Sequence, residues 1–356
     1  MPVEAAEAGG GIRGTGNTAL LKSGIEGVQV GGGKGGEGFS SGAEEIFDAD
    51  DERDRLDCER RRQAVRELQP VLTGPLFAEV RRELVSLLSG LTEEEWQLPT
   101  AAPQWNAKDV ALHILGGDVG NLSRRRDGHS LTADLSSYEK LVAFINEINA
   151  SWVLAGQRMS TAVMIDLTEH VGRQVDAYFA GLDPFATGGA VSWAGDGPAP
   201  VWFDVSREYT ERWHHQQQIR DATGRPGLYE RRLFEPVLDT FVRGLPHAFR
   251  DVKANEGTAV KLRVTGRVEK EWILLCGSRK WDLFECDGTE DRQDAAKAGA
   301  AVLRPYEEKA GVVIEAEKAW KIFTRGIRGA EAARCAEISG QRELGEKVVG
   351  MVSVIA

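Results

Sequence analysis

The stretch TERWHHQQQIRDATGRP, beginning at Thr210, sets two adjacent histidines after a glutamate inside a segment with helical periodicity. Glu211 and His215 stand four residues apart, so on a helix their side chains share one face and can approach a single ion. His214 points about 100 degrees away at 3.6 residues per turn, and reads as a partly exposed neighbour. Such a pair also occurs as an ordinary surface hydrogen bond, so a metal reading needs a further ligand. His113, in VALHILGG, is flanked by Val110, Leu112, Ile114 and Leu115, a setting that places it at least partly inside. Two roles are open to it: a core histidine bonded to a backbone carbonyl, or a ligand projecting from a facing helix. Together His113, Glu211 and His215 would offer two imidazoles and one carboxylate and leave coordination positions open, as catalytic zinc sites do.

Other candidates are more distant. His170, in DLTEHVGRQVDAYF, reads as a helix-surface histidine, although as a fourth ligand it would close the site and make the metal structural. Arg263, in KLRVTG, is a candidate catalytic residue: it could hold a substrate carboxylate as a bidentate donor, or lie on a solvated strand face. His129 and His247 sit beside turn signals and suggest no role. GGGKGGEG is not a phosphate loop, because neither GK[ST] nor a preceding strand accompanies it.

The elements that must carry these residues follow from periodicity. LFAEVRRELVSLLSGL spaces Leu76, Val80, Leu84, Leu87 and Leu91 by threes and fours, the stripe of an amphipathic helix. Thr92 and Glu95 form a capping box. WNAKDVALHILGGDVGNL begins a second helix, with Asn106 as N-cap and Asp109 at its positive end. A third helical region spans about residues 138–182, interrupted near Gly156. The fourth runs from about Asp204 to Thr223 and stops at GRPG, and one more helix spans about Arg231 to Phe249. After about Gly257 the period changes: TAVKLRVTG, EWILLCGS, KWDLFECDG and AGVVIEA read as strands, while EKAWKIFTRGI and RELGEKVVGMVSVIA read as helices. The expected architecture is a four-helix bundle followed by a smaller α+β domain.

Residues 1–42 hold fourteen of the 41 glycines and little apolar surface, and FDADDERDRLDCERRR is a charge run. The expected division is therefore a disordered tail and charged linker over residues 1–65, the helical bundle over 66–250 and the α+β part over 251–356.

PQWNAKDVALHILGGD, followed about a hundred residues later by REYTERWHHQQQIRDATGRPG, resembles the mycothiol-dependent maleylpyruvate isomerase family. Trp105, Asp109 and His113 match its first motif, and Glu211 and His215 its second. The resemblance implies a DinB-like four-helix bundle in which these two histidines and the glutamate bind a divalent metal, Zn2+, and a sterol-carrier-like C-terminal domain, which ISGQRELGEKVVGMVSVIA also resembles. It further implies a low-molecular-weight thiol, mycothiol or an equivalent, as cofactor, and a small-molecule electrophile as substrate. Many relatives carry an aspartate three residues after the second metal histidine, where this chain has Gln218.

The composition narrows the partners. A net charge of -11 opposes general affinity for nucleic acid or anionic lipid, both of which need clustered positive charge. No apolar run approaches the roughly 20 residues that span a bilayer, and the N-terminus lacks the compact apolar stretch of a signal peptide. Cys58, Cys276, Cys286 and Cys335 form no CxxC pair. The expectation is a cytoplasmic protein with neither nucleic acid nor membrane as partner. Two functions are consistent with these residues: a metal-dependent thiol S-transferase or cis-trans isomerase, or a non-catalytic, metal-stabilised protein that binds a small apolar or lipid ligand.

Overall fold

Asn106 opens the helix that carries His113 with a reciprocal cap: its side-chain oxygen accepts from the Asp109 amide at 2.9 Å, and the Asp109 carboxylate accepts from the Asn106 amide at 3.1 Å. Two of the orphan donors at the helix start are thereby satisfied. The structure is a computed structural model that describes residues 64–129, 131–286, 301–302 and 306–354. The helical part comprises α1 (Phe77–Ser89), α2 (Ala107–Asn121), α3 (Tyr138–Gly156), α4 (Thr161–Ala180), α5 (Val201–Ala222) and α6 (Arg231–Phe241), with a short α7 (Leu245–Ala248) closing it. The third helical region is interrupted at the expected place, after Gly156, and forms two helices. After Gly156 the chain turns, and Ser160 caps α4 by accepting from the Val163 amide at 3.3 Å. α2 is central, packing on α3, α4 and α5, while α1 packs on α4 and α5. Two glycines allow α3 to approach α2 closely: a Cβ on Gly116 would lie 2.5 Å from the Trp152 indole, and one on Gly156 would lie 2.6 Å from Leu112. The Trp152 indole N–H donates to the Leu112 carbonyl at 2.9 Å, which fixes the turn just before His113.

The remainder is α+β. Seven strands, β1 (Ala64–Glu67), β2 (Thr258–Thr265), β3 (Lys270–Cys276), β4 (Trp281–Cys286), β5 (Ala301–Val302), β6 (Glu307–Glu315) and β7 (Ala336–Gly340), form one mixed sheet in the order β5-β1-β4-β3-β2-β6-β7. β2 and β6 are its parallel pair, and the other pairings are antiparallel. Helices α8 (Ala316–Phe323), α9 (Gly329–Arg334) and α10 (Arg342–Val349) complete this part. The sequence reading anticipates β2, β3, β4, β6, α8 and α10. It misses β1, β5, β7 and α9, which are all short. β1 comes from the stretch that joins the tail to the bundle, and it pairs with β4 through Val65 and Cys286. The Gly-rich tail and charge run before residue 64 lie outside the described residues.

One hydrophobic core runs from the helices into the sheet. Trp213 of α5 stacks on Phe234 of α6 at 4.9 Å and meets Trp320 of α8 edge-on at 5.5 Å. Tyr209, one turn earlier, is fully buried, and its hydroxyl donates to the Leu233 carbonyl at 2.8 Å. This face anchors α5 and leaves its opposite face to α2. Among the described residues no helix is long and apolar enough to cross a membrane.

Candidate metal centre

α5 holds Glu211 and His215 one turn apart, with His215 Nε2 at 3.4 Å from Glu211 Oε2. From α2, His113 meets His215 edge-on with ring centroids 4.5 Å apart, and Trp105 covers its other side at 4.8 Å. One donor atom from each of His113, Glu211 and His215 lies within 4.8 Å of the other two. Two helices about a hundred residues apart in sequence thus bring together the three residues named from the sequence. Among the described residues the cluster comprises these three side chains. His170 is exposed on α4 and outside it, and Arg263 is exposed on β2, also outside it.

The protonation states suit donation of lone pairs. Burial, with the neighbouring His215 charge, pushes the His113 imidazole down to about 3, and its Nδ1 is enclosed without a hydrogen-bond partner. His215 Nδ1 faces the Gln218 amide oxygen at 2.9 Å. An oxygen there can only accept, so Nδ1 carries a proton, and Nε2 is the nitrogen that faces Glu211 and that an ion would take. Burial alone would raise the Glu211 carboxyl, but the His215 hydrogen bond and the charges of His214, His215 and Arg207 bring it down to about 2. The site therefore presents a neutral His113 imidazole and an ionised Glu211 carboxylate near neutral pH.

His214 departs from expectation. It is 3% exposed rather than partly exposed, and its Nδ1 lies 2.8 Å from the Thr210 carbonyl, to which it donates. The rotation away from Glu211 does not lead to solvent, because α5 is enclosed by α1, α2 and α6. Trp213, His214, Gln216, Gln217 and Gln218 are all buried in consequence. Burial also holds the His214 imidazole down at about 3.

A charged network one turn before the cluster escapes the sequence reading. Glu208 is buried, accepts from Asn121 at 2.7 Å and from Arg212 at 2.9 Å, and also pairs with Arg125 and Arg207. Arg212 reaches Asp118 of α2, and Arg125, on a π-helical turn (Leu122–Arg126), reaches Asp204. Burial opposes ionisation of Glu208, yet the three arginines outweigh it and hold the carboxyl far below its usual range. The signal available in sequence was the spacing of Asp204, Glu208 and Arg212, each one turn from the next.

Residues 77–220, which include all three clustered side chains, match the mycothiol maleylpyruvate isomerase N-terminal domain. This segment belongs to that family. The mycothiol maleylpyruvate isomerase N-terminal domain thus spans α1 to nearly the end of α5 and contains both the cluster and the charged network beside it. Two crystal structures, of the mycothiol-dependent maleylpyruvate isomerase and of a histidine-to-alanine mutant of it, are each similar to this chain at 12% identity. Each alignment covers 76% of this chain and 93% of that chain, with a TM-score of 0.43. No curated protein matches.

Proposed function

We propose that the chain is a metal- and thiol-dependent enzyme that uses a low-molecular-weight thiol of the mycothiol kind on a small electrophile, by cis-trans isomerisation of the maleylpyruvate type or by S-transfer. The observation that carries the proposal is the convergence of His113, Glu211 and His215 within the family segment. The donor set fits a divalent ion such as Zn2+: two imidazoles, one carboxylate, and an enclosed His113 nitrogen whose lack of a partner costs stability unless a ligand meets the ring. His113, Glu211 and His215 would hold the ion. When bound, it supplies Lewis acidity that lowers the pKa of a thiol and makes a thiolate available near neutral pH.

The chain's own residues prepare that chemistry. Gln218 fixes the tautomer of His215, and Arg207 helps to keep Glu211 ionised. Trp105 closes one side of His113 against water. The reading takes the helices as a DinB-like bundle over 66–250 and the rest, 251–356, as a sterol-carrier-like part, supported by the order of helices followed by a mixed sheet.

The test supplies mycothiol, bacillithiol and glutathione in turn with cis-enoic diacids, epoxides and activated halides. Metal-dependent turnover with at least one thiol, lost in His113→Ala and not restored by added metal, is expected. Metal-loaded protein that turns over none of them and binds a long-chain lipid instead would replace the enzyme with the binding-protein alternative.

A further inference from the structure

A cavity of about 640 Å³ lies between α6, the strands β1, β3 and β4, and the segment that follows β1. Leu68, Val71, Leu72 and Pro236 form its apolar wall, and its floor is charged. On that floor Lys270 Nζ, in a side chain only 8% exposed, contacts Asp239 at 2.7 and 2.9 Å, Glu285 at 3.1 Å and Glu235 at 3.2 Å. Arg66 also pairs with Glu285, and Arg231 with Glu235, so the carboxylates of the floor are all matched to cations.

Arg243 lines the same cavity and has no such match. Asp239 lies one turn before it and would be its ordinary partner, but both oxygens of that carboxylate are on Lys270. Arg243 lies 4.7 Å over the Trp202 ring and donates one terminal nitrogen to the Gln69 carbonyl. Its Nε is enclosed without a hydrogen-bond partner, and it makes no ion pair among the described residues. Burial pulls this guanidinium down to about 10, still cationic at neutral pH. The charges of Asp239 and Glu285 act on it only from beyond ion-pair distance, and a partly enclosed cation that no carboxylate touches is costly. It sits in a cavity of a size that small-molecule sites ordinarily have, within a chain whose overall charge is -11.

We propose that this cavity is a binding site for a small organic anion, a carboxylate or phosphate on a short apolar body, with the anionic group on Arg243 and the body against Leu68, Val71, Leu72 and Pro236. A planar guanidinium suits either head group. The site is separate from the histidine cluster and does not rest on the catalytic reading.

Isothermal titration of the full-length protein with hexanoate, hexyl phosphate and hexan-1-ol tests it. At least one of the two anions should bind once per chain, and at least tenfold more tightly than the alcohol. Arg243→Met should weaken that binding at least tenfold, with folding checked by circular dichroism. Leu72→Trp, at a position 52% exposed, should weaken it by narrowing the apolar wall, and it decides the matter if Arg243→Met does not fold. His215→Ala should bind the anion as the wild type does. Absence of saturable binding by both anions, equal binding of the alcohol, or full binding by Arg243→Met or by Leu72→Trp would overturn the proposal. So would loss of binding in His215→Ala, which would assign the anion to the histidine cluster instead.

Discussion

Replacing Gln218 with leucine removes the acceptor that fixes His215 without touching any of the three clustered side chains. In the wild type the Gln218 oxygen, 2.9 Å from Nδ1, holds a proton there, so that Nε2, 3.4 Å from Glu211, is the nitrogen an ion would take. In Gln218→Leu the metal-free imidazole can move its proton to Nε2 and donate it to Glu211. Ion binding must then reverse that tautomer and leave an N–H unsatisfied in a side chain only 12% exposed, next to a residue position that is 6% exposed. An unsatisfied enclosed donor costs about 1–3 kcal/mol, which corresponds to a metal affinity weakened by about 5- to 150-fold. The range agrees with the 10- to 100-fold typical of removing a partner that orients a metal-bound histidine. The assay is competition for Zn2+ against a chromophoric chelator at fixed pH, on wild type, Gln218→Leu and His215→Ala. Wild-type affinity in Gln218→Leu, with affinity lost in His215→Ala, would show that the amide does not orient the ring and would refute the argument.

Further outcomes follow from the same geometry. His214→Ala should keep one metal per chain by elemental analysis yet lose about 1–3 kcal/mol in urea unfolding, because the Thr210 carbonyl loses its buried donor. Chelator-stripped protein should lose thermal stability as pH falls from about 6.5 toward 3. His113 and His214 are neutral in the folded protein down to about 3, whereas the unfolded chain takes up protons from about 6.5 downward, so stability is present above that value and declines below it; melts that do not change between pH 7 and 4 would contradict this. Asn106→Ala should cost about 1 kcal/mol through loss of the α2 cap, read as a lower urea midpoint with an unchanged slope.

Much of the positioning was legible because it depends on local rules. The caps at Asn106 and Thr92 occur where the residue types call for them, although the Thr92 box opens a single 3-10 turn, Glu95–Gln97, rather than a long helix. The four longest strands carried enough Val, Ile, Leu and Trp to be visible, whereas β1, AVRE, has too few residues to show a period, and only its β4 and β5 partners define it. The spacing of Glu211 and His215, with a histidine on another apolar helix, was sufficient to name the cluster. The surroundings were not legible, since burial of His214 depends on how many helices enclose α5, a tertiary property. The Gln218 contact shows the same limit: a glutamine in QQQ has no distinguishing pattern until the helix places it three residues beyond a histidine with its oxygen on Nδ1. Arg243 is an ordinary arginine in sequence, and only the commitment of Asp239 to Lys270 leaves it without a carboxylate in direct contact.

The most direct test of the account is anomalous diffraction at the zinc absorption edge from crystals of the protein grown after loading with Zn2+. The account predicts one strong peak per chain, within coordinating distance of His113, Glu211 and His215 and reached by the Nε2 atom of His215, with no protein ligand from His214 or His170. A map with no peak between these three side chains, or with its peak at another group, would contradict it.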